Sequence, residues 1–442
     1  MFKKAFILSF GNIVNTIIAG LFGIYVTRVL GPENKGILTI AISSCDLMAM
    51  LFSFGIPYSA AYYVRSHPGN ETMVKTLTNR AMVICGALSL VLILIGKDAF
   101  STFFLGGWDI DPFMTALLVL TIIVNSGNTV IGAAVIAQGD SNGFVISTNV
   151  GTVVTVLCTL VLITTMPLKL HSVVLGSLLG NLVATILLRR HYRTSMARGN
   201  GSPAMTARQF YTYGFQAQAG AIATLVFKRM DLYIISHFLN TSAVGFYSIG
   251  LSLRDLAMAA SRAVAGLSGG DLADPSKQAD GSAKTIFRKG VAFNANSSLV
   301  IFLASLVLFP SVIPFAYGPA FSRSVAPAMI IMFSLVPLSV ALLVGKAVQA
   351  KGKPLNLSVS NVVSAVISSF VVWVLTKEYG IEGAAISTII GCMVLLGASW
   401  ISLRIADGGF PRSGMENSEE VSDTGNKIAS TDRQGRASGE SE

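Results

Sequence analysis

The stretch KRMDLYIISHFLNTSAVGFYSIGLSLRDLAMAASR, from Lys228 to Arg262, places six charged side chains inside two consecutive apolar segments. These residues are Lys228, Arg229, Asp231, Arg254, Asp255 and Arg262. A charge at the centre of a membrane-spanning helix costs roughly 2.5 to 3.5 kcal/mol. So many charges therefore predict an interior cavity, in which they face one another or a ligand rather than lipid.

The composition places the whole chain in the membrane class. Of its 442 residues, 52% are hydrophobic and 12% are charged, and the mean hydropathy is +0.66. That leaves too little polar surface for a soluble globule of this size. The apolar segment after Lys4 continues to Leu30 without a convincing cleavage site, so we interpret it as a retained first helix.

The cysteines and the charges narrow the functional classes. All four cysteines lie in apolar runs and match no metal-ligand spacing, so we expect no disulfide framework and no metal site. The net charge is +10, and the tail from Asp407 onward holds eight acids and four bases, which leaves +14 on the preceding residues. A basic inner surface and a basic cavity fit this charge, whereas no soluble domain exists to present a nucleic-acid site.

The hydropathy pattern predicts an all-α polytopic membrane protein with about 12 transmembrane helices. Each span needs about 20 apolar residues. Short Gly- and Pro-containing joints, such as Gly31 to Lys35, separate the spans. The predicted spans are 5–29, 37–64, 76–97, 112–137, 143–166, 170–190, 208–239, 243–268, 287–312, 325–350, 355–376 and 382–404.

Lysine and arginine accumulate in alternate joints, which predicts that both termini are cytoplasmic. The longest basic joint, residues 191–207, divides the chain into six-helix lobes at 1–190 and 208–405. The polar tail, residues 406–442, is predicted to be disordered.

The two lobes repeat each other. An offset of 209 aligns Leu30–Gly36 with Leu239–Gly245, and it also aligns Asp46 with Asp255. An offset of 213 aligns Ala134–Gly139 with Ala347–Gly352. Six helices per repeat give both lobes the same orientation, so we expect a pseudo-twofold axis along the membrane normal and a central cavity.

Three runs carry a family resemblance: RVLGPENKGILTI from Arg28, the run from Lys228 to Asp255, and the run from Ala347 to Gly391. They resemble the polysaccharide flippase branch of the multidrug/oligosaccharidyl-lipid/polysaccharide exporter superfamily, the Wzx-type O-antigen transporters. The likeness covers roughly residues 5–405. The polar tail adds no spans, so the fourteen-helix pattern of lipid II flippases is not supported.

The resemblance implies a non-enzymatic transporter of the bacterial inner membrane. It implies alternating access and movement of an undecaprenyl-diphosphate-linked glycan from the inner to the outer leaflet. Membrane lipids, a polysaccharide polymerase and glycosyltransferases would be its partners.

Bases inside the spans are the substrate-binding candidates, because a diphosphate requires Lys or Arg in a water-filled cleft. Arg229 and Arg254 lead, since each lies well inside its span and arginine favours phosphate oxygens. Lys228 either contacts the ligand or pairs with Asp231, three residues away. Arg262 and Lys346 are further candidates, although snorkelling towards lipid headgroups is an alternative for both.

Asp46 and Asp255 are possible ion-coupling residues, and pairing with nearby bases is the alternative. Four amides could contact glycan or could bond neighbouring helices: Asn12, Asn15, Asn125 and Asn128. The Gly55–Tyr58 joint breaks the second helix and serves either as a gate hinge or as a packing kink.

No catalytic constellation appears in the sequence. The four histidines are isolated along the chain, and no Gly-rich Lys/Ser loop for ATP is present. We therefore expect no enzyme activity and no cofactor. The alternative function is an ion-coupled exporter of small organic compounds, but a cationic drug would favour acids and aromatics over the bases present here.

Overall fold

The computed structural model describes residues 2–66, 111–165, 168–196, 206–272, 274, 276, 280–351 and 353–408. It also describes short helical pieces at 76–77, 79–80, 83–84, 86–88 and 90–91. Every regular element in these ranges is helical. The helices are α1 (Phe2–Phe52), α2 (Ile56–Ser66), α3 (Pro112–Ala137), α4 (Ser141–Thr165), α5 (Lys169–Met196), α6 (Ala207–Phe238), α7 (Thr241–Leu272), α8 (Ser282–Tyr317), α9 (Val325–Phe333), α10 (Leu335–Ala350) and α11 (Pro354–Gly408), with a 3₁₀ helix at Pro319–Ser324 between α8 and α9.

Helices α1 and α11 each contain two spans joined at a glycine. They hold 51 and 55 residues, or about 77 and 82 Å at 1.5 Å per residue, more than twice the hydrocarbon thickness of a bilayer. The chain turns at Gly31 (φ 74°) and at Gly380 (φ 62°), a backbone conformation that favours glycine. The predicted joint from Gly31 to Lys35 is thus a single-residue kink, and Lys35 lies inside the following helix.

The prediction of an all-α polytopic membrane protein is confirmed. Among the described residues, seven helices are long and apolar enough to cross a membrane. Helices α6 and α7, which carry the charges of the opening stretch, are not among these seven. Each predicted span overlaps a described helix, except that the span at 76–97 is described only as short helical pieces that cover half of its residues.

Several predicted boundaries shift. Helix α5 continues to Met196, six residues into the predicted linker, and α11 continues to Gly408. The predicted span 325–350 is interrupted at Ser334. The predicted break in the second span is confirmed, because Phe54 (φ 48°) and Gly55 (φ 71°) separate α1 from α2. Most of the predicted linker and nearly all of the tail lie outside the described residues.

The apolar side chains on the outside of the bundle fit a lipid environment. Helix α8 exposes Val300, Leu303 and Val307, at helical spacing, with exposed fractions of 65%, 52% and 77%. Such a continuous exposed apolar stripe would be unstable in water. It therefore marks a surface that faces lipid.

The N-terminal half (2–196) contacts the C-terminal half (206–408) mainly where α1 meets α7 and α2 meets α6. A Cβ on Gly36 would collide with the Thr241 carbonyl oxygen, and a Cβ on Gly245 would collide with that of Pro32. The offset of 209 relates Gly36 to Gly245 and Pro32 to Thr241. Such a reciprocal contact is typical of a twofold interface, so the repeat alignment and the packing agree. We call this region the Gly31 end.

At the opposite end, α2 packs on α6. The Ser59 hydroxyl donates to the Phe210 carbonyl oxygen at 2.6 Å, and Gln218 Nε2 donates to the Met50 carbonyl oxygen at 2.6 Å. Gly55 and Gly214 bring the two backbones into direct contact. The halves therefore touch at both ends and leave space between them in the middle.

Candidate functional site

A cavity of about 310 Å³ lies in the C-terminal half, between α6, α7, α10 and α11. We call it the C-terminal cavity. Four of the five predicted substrate-binding residues line it, together with Asp255, which was a candidate for ion coupling. Its charged lining residues are Lys228, Asp231, Arg254, Asp255, Arg262 and Lys346. Four bases therefore face two acids.

Arg254 is the most deeply placed of these bases. Only 6% of it is exposed, and its nearest carboxylate oxygen, Asp255 Oδ1, lies 3.9 Å from Nη2. Its Nε has no hydrogen-bond partner among the described residues. Since buried polar atoms are almost always paired, this guanidinium has donor capacity left for an anion in the cavity.

Asp255 lies between two arginines. Arg262 Nη2 is 3.7 Å from Asp255 Oδ1 and donates to the Asp255 carbonyl oxygen at 2.9 Å. Lys346 Nζ donates to Gln349 Oε1 at 3.2 Å. Arg262 and Lys346 both line the C-terminal cavity. Both side chains therefore have polar partners at the cavity, and snorkelling of Arg262 and Lys346 stays a prediction.

Asp231 is held by neutral donors rather than by a base. The Tyr247 hydroxyl donates to Asp231 Oδ2 at 2.6 Å, and the Leu232 backbone N–H donates to Oδ1 at 2.9 Å. The Thr388 hydroxyl lies 2.7 Å from that of Tyr247. The Lys228–Asp231 ion pair, one of the two alternatives for Lys228, is not formed in the described part of the chain. Lys228 is instead exposed in the cavity.

Arg229 and Asp46 lie apart from the C-terminal cavity. Arg229 is half-buried and lies within electrostatic range of Asp46 and Asp231. Asp46 is exposed and accepts a hydrogen bond from Asn125 Nδ2 at 3.2 Å. The structure therefore separates Arg229, one of the two leading diphosphate candidates, from the group around Arg254.

A second cavity of about 520 Å³, which we call the central cavity, lies between α1 and α7. Asp255 and Arg262 line it as well as the C-terminal cavity. It also contains Lys35, which the sequence pattern placed in a joint. The sequence did contain a signal for this position of Lys35. Pro32 is well suited to the first turn of a helix, which places Lys35 inside the span.

Comparison with known proteins identifies the family. Residues 1–268 match the family described as "Polysaccharide biosynthesis protein". The chain belongs to this family. Its predicted resemblance to the polysaccharide branch of the exporter superfamily is thereby confirmed.

This polysaccharide biosynthesis protein is similar to a curated protein of Haloferax volcanii, "Probable low-salt glycan biosynthesis flippase Agl15". The two are 24% identical over 183 residues, which is 41% of this chain and 39% of the relative. The match thus spans less than half of the relative's length.

Two solved structures share the fold. One is the inward closed conformation of the lipid II flippase MurJ, with a TM-score of 0.69 and 12% identity, covering 88% of this chain and 87% of that one. The other is the inward-facing conformation of a multidrug resistance MATE family transporter of the MOP superfamily. Its TM-score is 0.68 at 12% identity, covering 89% of this chain and 94% of that one.

Two histidines of this family member have partners that the sequence did not reveal. His171 Nε2 lies 3.2 Å from Asp111 Oδ1, and His191 Nδ1 lies 3.0 Å from Asp140 Oδ2. Both histidines are on α5, so a His–Asp pair fixes each end of that helix. The partners are 60 and 51 residues distant in sequence, which is why spacing gave no signal.

Asp111 lies just before α3 and caps it. Burial opposes ionisation of its carboxyl group, but hydrogen bonds from His171 and the Met114 N–H, with the charge of His171, outweigh it and lower the pKa of Asp111 below its usual value. The side chain is half exposed, so solvent weakens this interaction.

Proposed function

We propose that this protein moves a polyprenyl-diphosphate-linked oligosaccharide from the inner to the outer leaflet by alternating access. The observation that carries the proposal is Arg254, a buried arginine with an unpaired Nε in a cavity where bases outnumber acids. Membership of the polysaccharide biosynthesis family supports a glycan-linked substrate. The fold shared with flippases and exporters supports transport rather than enzymatic chemistry.

The C-terminal cavity suits a diphosphate. Arginine presents a planar fork of donors that matches phosphate oxygens, and Arg254 is held in place by its burial. Lys228 is exposed in the cavity and adds a flexible point charge. Because charged hydrogen bonds are stronger away from water, a diphosphate here would satisfy Arg254 and offset the excess positive charge.

The direction follows from charge and membrane potential. We place the protein in a bacterial inner membrane with both termini cytoplasmic, as the basic joints indicate. Outward movement of negative charge across an inside-negative membrane is favourable by roughly 2.3 kcal/mol per charge per 100 mV. Glycosyltransferases would supply the substrate, and a polysaccharide polymerase would consume it.

The two aspartates differ in their fitness for ion coupling. Asp255 is flanked by Arg254 and Arg262, which neutralise it. Asp46 is exposed, accepts a hydrogen bond from the neutral amide of Asn125, and has only Arg229 as a base within electrostatic range among the described residues. We therefore favour Asp46 as the residue that would take up a cation when the empty carrier resets.

The test replaces Arg254 in a producing strain whose own copy of the gene is deleted. We expect Arg254→Gln to abolish surface polysaccharide and to accumulate lipid-linked intermediate, while Arg254→Lys retains part of the activity. Immunoblots of membranes check that each variant is inserted at the normal level.

Arg323→Gln is the matched control, because Arg323 is exposed in the 3₁₀ helix outside the cavity. It should leave polysaccharide at the wild-type level. Normal polysaccharide in the Arg254→Gln strain, or energy-dependent efflux of small organic cations by the wild type without effect on polysaccharide, would overturn the proposal.

A further inference from the structure

A third cavity, of about 490 Å³, lies in the N-terminal half between α1, α3, α4 and α5. We call it the N-terminal cavity. No charged residue lines it in the described part of the chain, and its polar lining consists of amides and hydroxyls. Its volume falls in the range of small-molecule sites. The proposed function assigns no role to this space.

The N-terminal cavity is the repeat equivalent of the C-terminal cavity. The offset of 213 carries eight of its lining residues, all on α3 and α4, onto lining residues of the C-terminal cavity. The offset of 209 likewise carries Asn15 of α1 onto Thr224 of α6. Examples at the 213 offset are Gly132 with Gly345, Ala133 with Lys346, and Thr148 with Asn361.

The repeat thus provides two sites of one shape with different chemistry. Ala133 stands where the C-terminal cavity has the base Lys346, and Cys45 is the equivalent of Arg254 at the offset of 209. Among its described lining residues, the N-terminal cavity therefore has no base to bind an anion. It keeps groups that donate and accept neutral hydrogen bonds.

Several of these groups have spare capacity. Asn15 Oδ1 is buried without a hydrogen-bond partner among the described residues. Thr148, Thr152 and Thr155 donate to carbonyl oxygens of their own helix, which leaves their oxygen lone pairs as acceptors. The backbone carbonyl oxygen of Asn181 accepts hydrogen bonds from the side chains of Asn128 and Thr185. The side-chain Nδ2 of Asn181 donates to no described residue.

The central cavity adjoins the other two and shares lining residues with each. Asn15 lines both the N-terminal and the central cavities. Asp255 and Arg262 line both the central and the C-terminal cavities. The three cavities therefore lie side by side, from the Arg254 site across the space between α1 and α7 to the amides of the N-terminal half.

We propose that the N-terminal cavity is a sugar-binding subsite for the same substrate whose diphosphate the C-terminal cavity holds; this inference rests on the proposed function. Sugar hydroxyls are neutral and both donate and accept, as this lining requires. A polyprenyl-diphosphate glycan is anionic at its diphosphate and polar along its sugars, in the same order as the two cavities.

The test compares two ligands on the purified full-length protein in detergent. The probes are undecaprenyl diphosphate and the lipid-linked oligosaccharide extracted from membranes of producing cells. In the variant Thr148→Val with Asn181→Leu, we expect roughly tenfold weaker binding of the oligosaccharide lipid, because at least two hydrogen bonds are lost. Binding of undecaprenyl diphosphate should be unchanged, which also shows that the variant is folded.

Two controls separate the subsite from the proposed function. Thr164→Val makes the same chemical change on α4 at an exposed position outside the cavity and should alter neither affinity. Arg254→Gln should weaken both ligands.

Equal affinities of the Thr148→Val, Asn181→Leu variant and the wild type for the oligosaccharide lipid would overturn the subsite. An equal loss for both lipids in that variant would overturn it as well. Failure of either lipid to bind the wild type would instead overturn the proposed function.

Discussion

At the scale of single residues, the hydroxyl of Tyr247 donates the hydrogen bond that pairs Asp231 Oδ2 inside the bundle. Tyr247→Phe removes the 2.6 Å hydrogen bond and leaves that carboxylate oxygen without its donor. Leaving a fully buried acceptor unpaired costs about 1–3 kcal/mol, and Asp231 is half-buried, so we expect a loss at the lower end of this range. We expect a lower midpoint of thermal unfolding in detergent, measured by intrinsic fluorescence.

Tyr317→Phe is the control for this change. Tyr317 is also buried, but its hydroxyl donates to no described residue, so its loss should shift the midpoint little. Equal midpoints for Tyr247→Phe and the wild type would show that Asp231 does not depend on this hydroxyl.

The Asp111–His171 pair predicts a dependence of stability on pH. Since the folded protein lowers the pKa of Asp111, its contribution is present above the usual value of about 3.9 and is lost as the pH falls through the folded value. In Asp111→Asn, the amide can still cap α3 but cannot ionise. We expect a shallower fall of the unfolding midpoint between about pH 5 and pH 3.

Glu33→Gln removes an exposed carboxyl group near the Gly31 end and should keep the wild-type pH profile. A profile for Asp111→Asn as steep as that of the wild type would contradict the assignment.

The charged cavity could be predicted from the sequence because six charges inside apolar spans would be too costly in contact with lipid. The sequence could not separate Arg229 from Arg254, since both lie inside their spans and only packing decides which cavity a side chain enters. The carboxylate partners of His171 and His191 gave no sequence signal because they precede other helices.

At the scale of helices, Gly36 and Gly245 allow α1 and α7 to approach closely. Gly36→Ala and Gly245→Ala each place a methyl group against a backbone carbonyl oxygen, which a flexible side chain cannot relieve. We expect each variant to lower the unfolding midpoint and to reduce surface polysaccharide.

Gly266→Ala on α7 is the matched control, because nothing lies within 4 Å of the added Cβ. Alanine is the better helix former by up to about 1 kcal/mol, so this variant should be neutral or more stable. Wild-type stability for Gly36→Ala would show that α1 and α7 can move apart at this contact without cost.

The helices themselves were largely predictable, since span length and apolar composition determine them. The predicted length of the joint from Gly31 to Lys35 was wrong. Pro32 fits the first turn of the next helix, and the chain needs only one residue in the left-handed conformation, Gly31, to turn. The offset of 213 was found on six residues of each half. The same offset also relates the two cavities, but this relation depends on how the surrounding helices pack and could not be predicted from the sequence.

At the scale of the whole molecule, the two halves touch at both ends, and the central cavity lies between them in the middle. Alternating access requires one of these contacts to open while the other holds. At the end opposite Gly31, Tyr62 of α2 stacks on Tyr213 of α6 with ring centroids 4.5 Å apart. Both rings are partly exposed, so reagents can reach this junction.

A covalent link at this junction should stop transport. We expect Tyr62→Cys with Tyr213→Cys, in a chain whose four native cysteines are replaced, to lose transport when treated with a short thiol cross-linker that reductants cleave. Because the link holds α2 against α6, the cavities could not open there, and reduction should restore activity. Transport is followed as surface polysaccharide formed after treatment, and each single-cysteine variant should be unaffected. Full transport by the cross-linked protein would mean that the halves do not separate at this end.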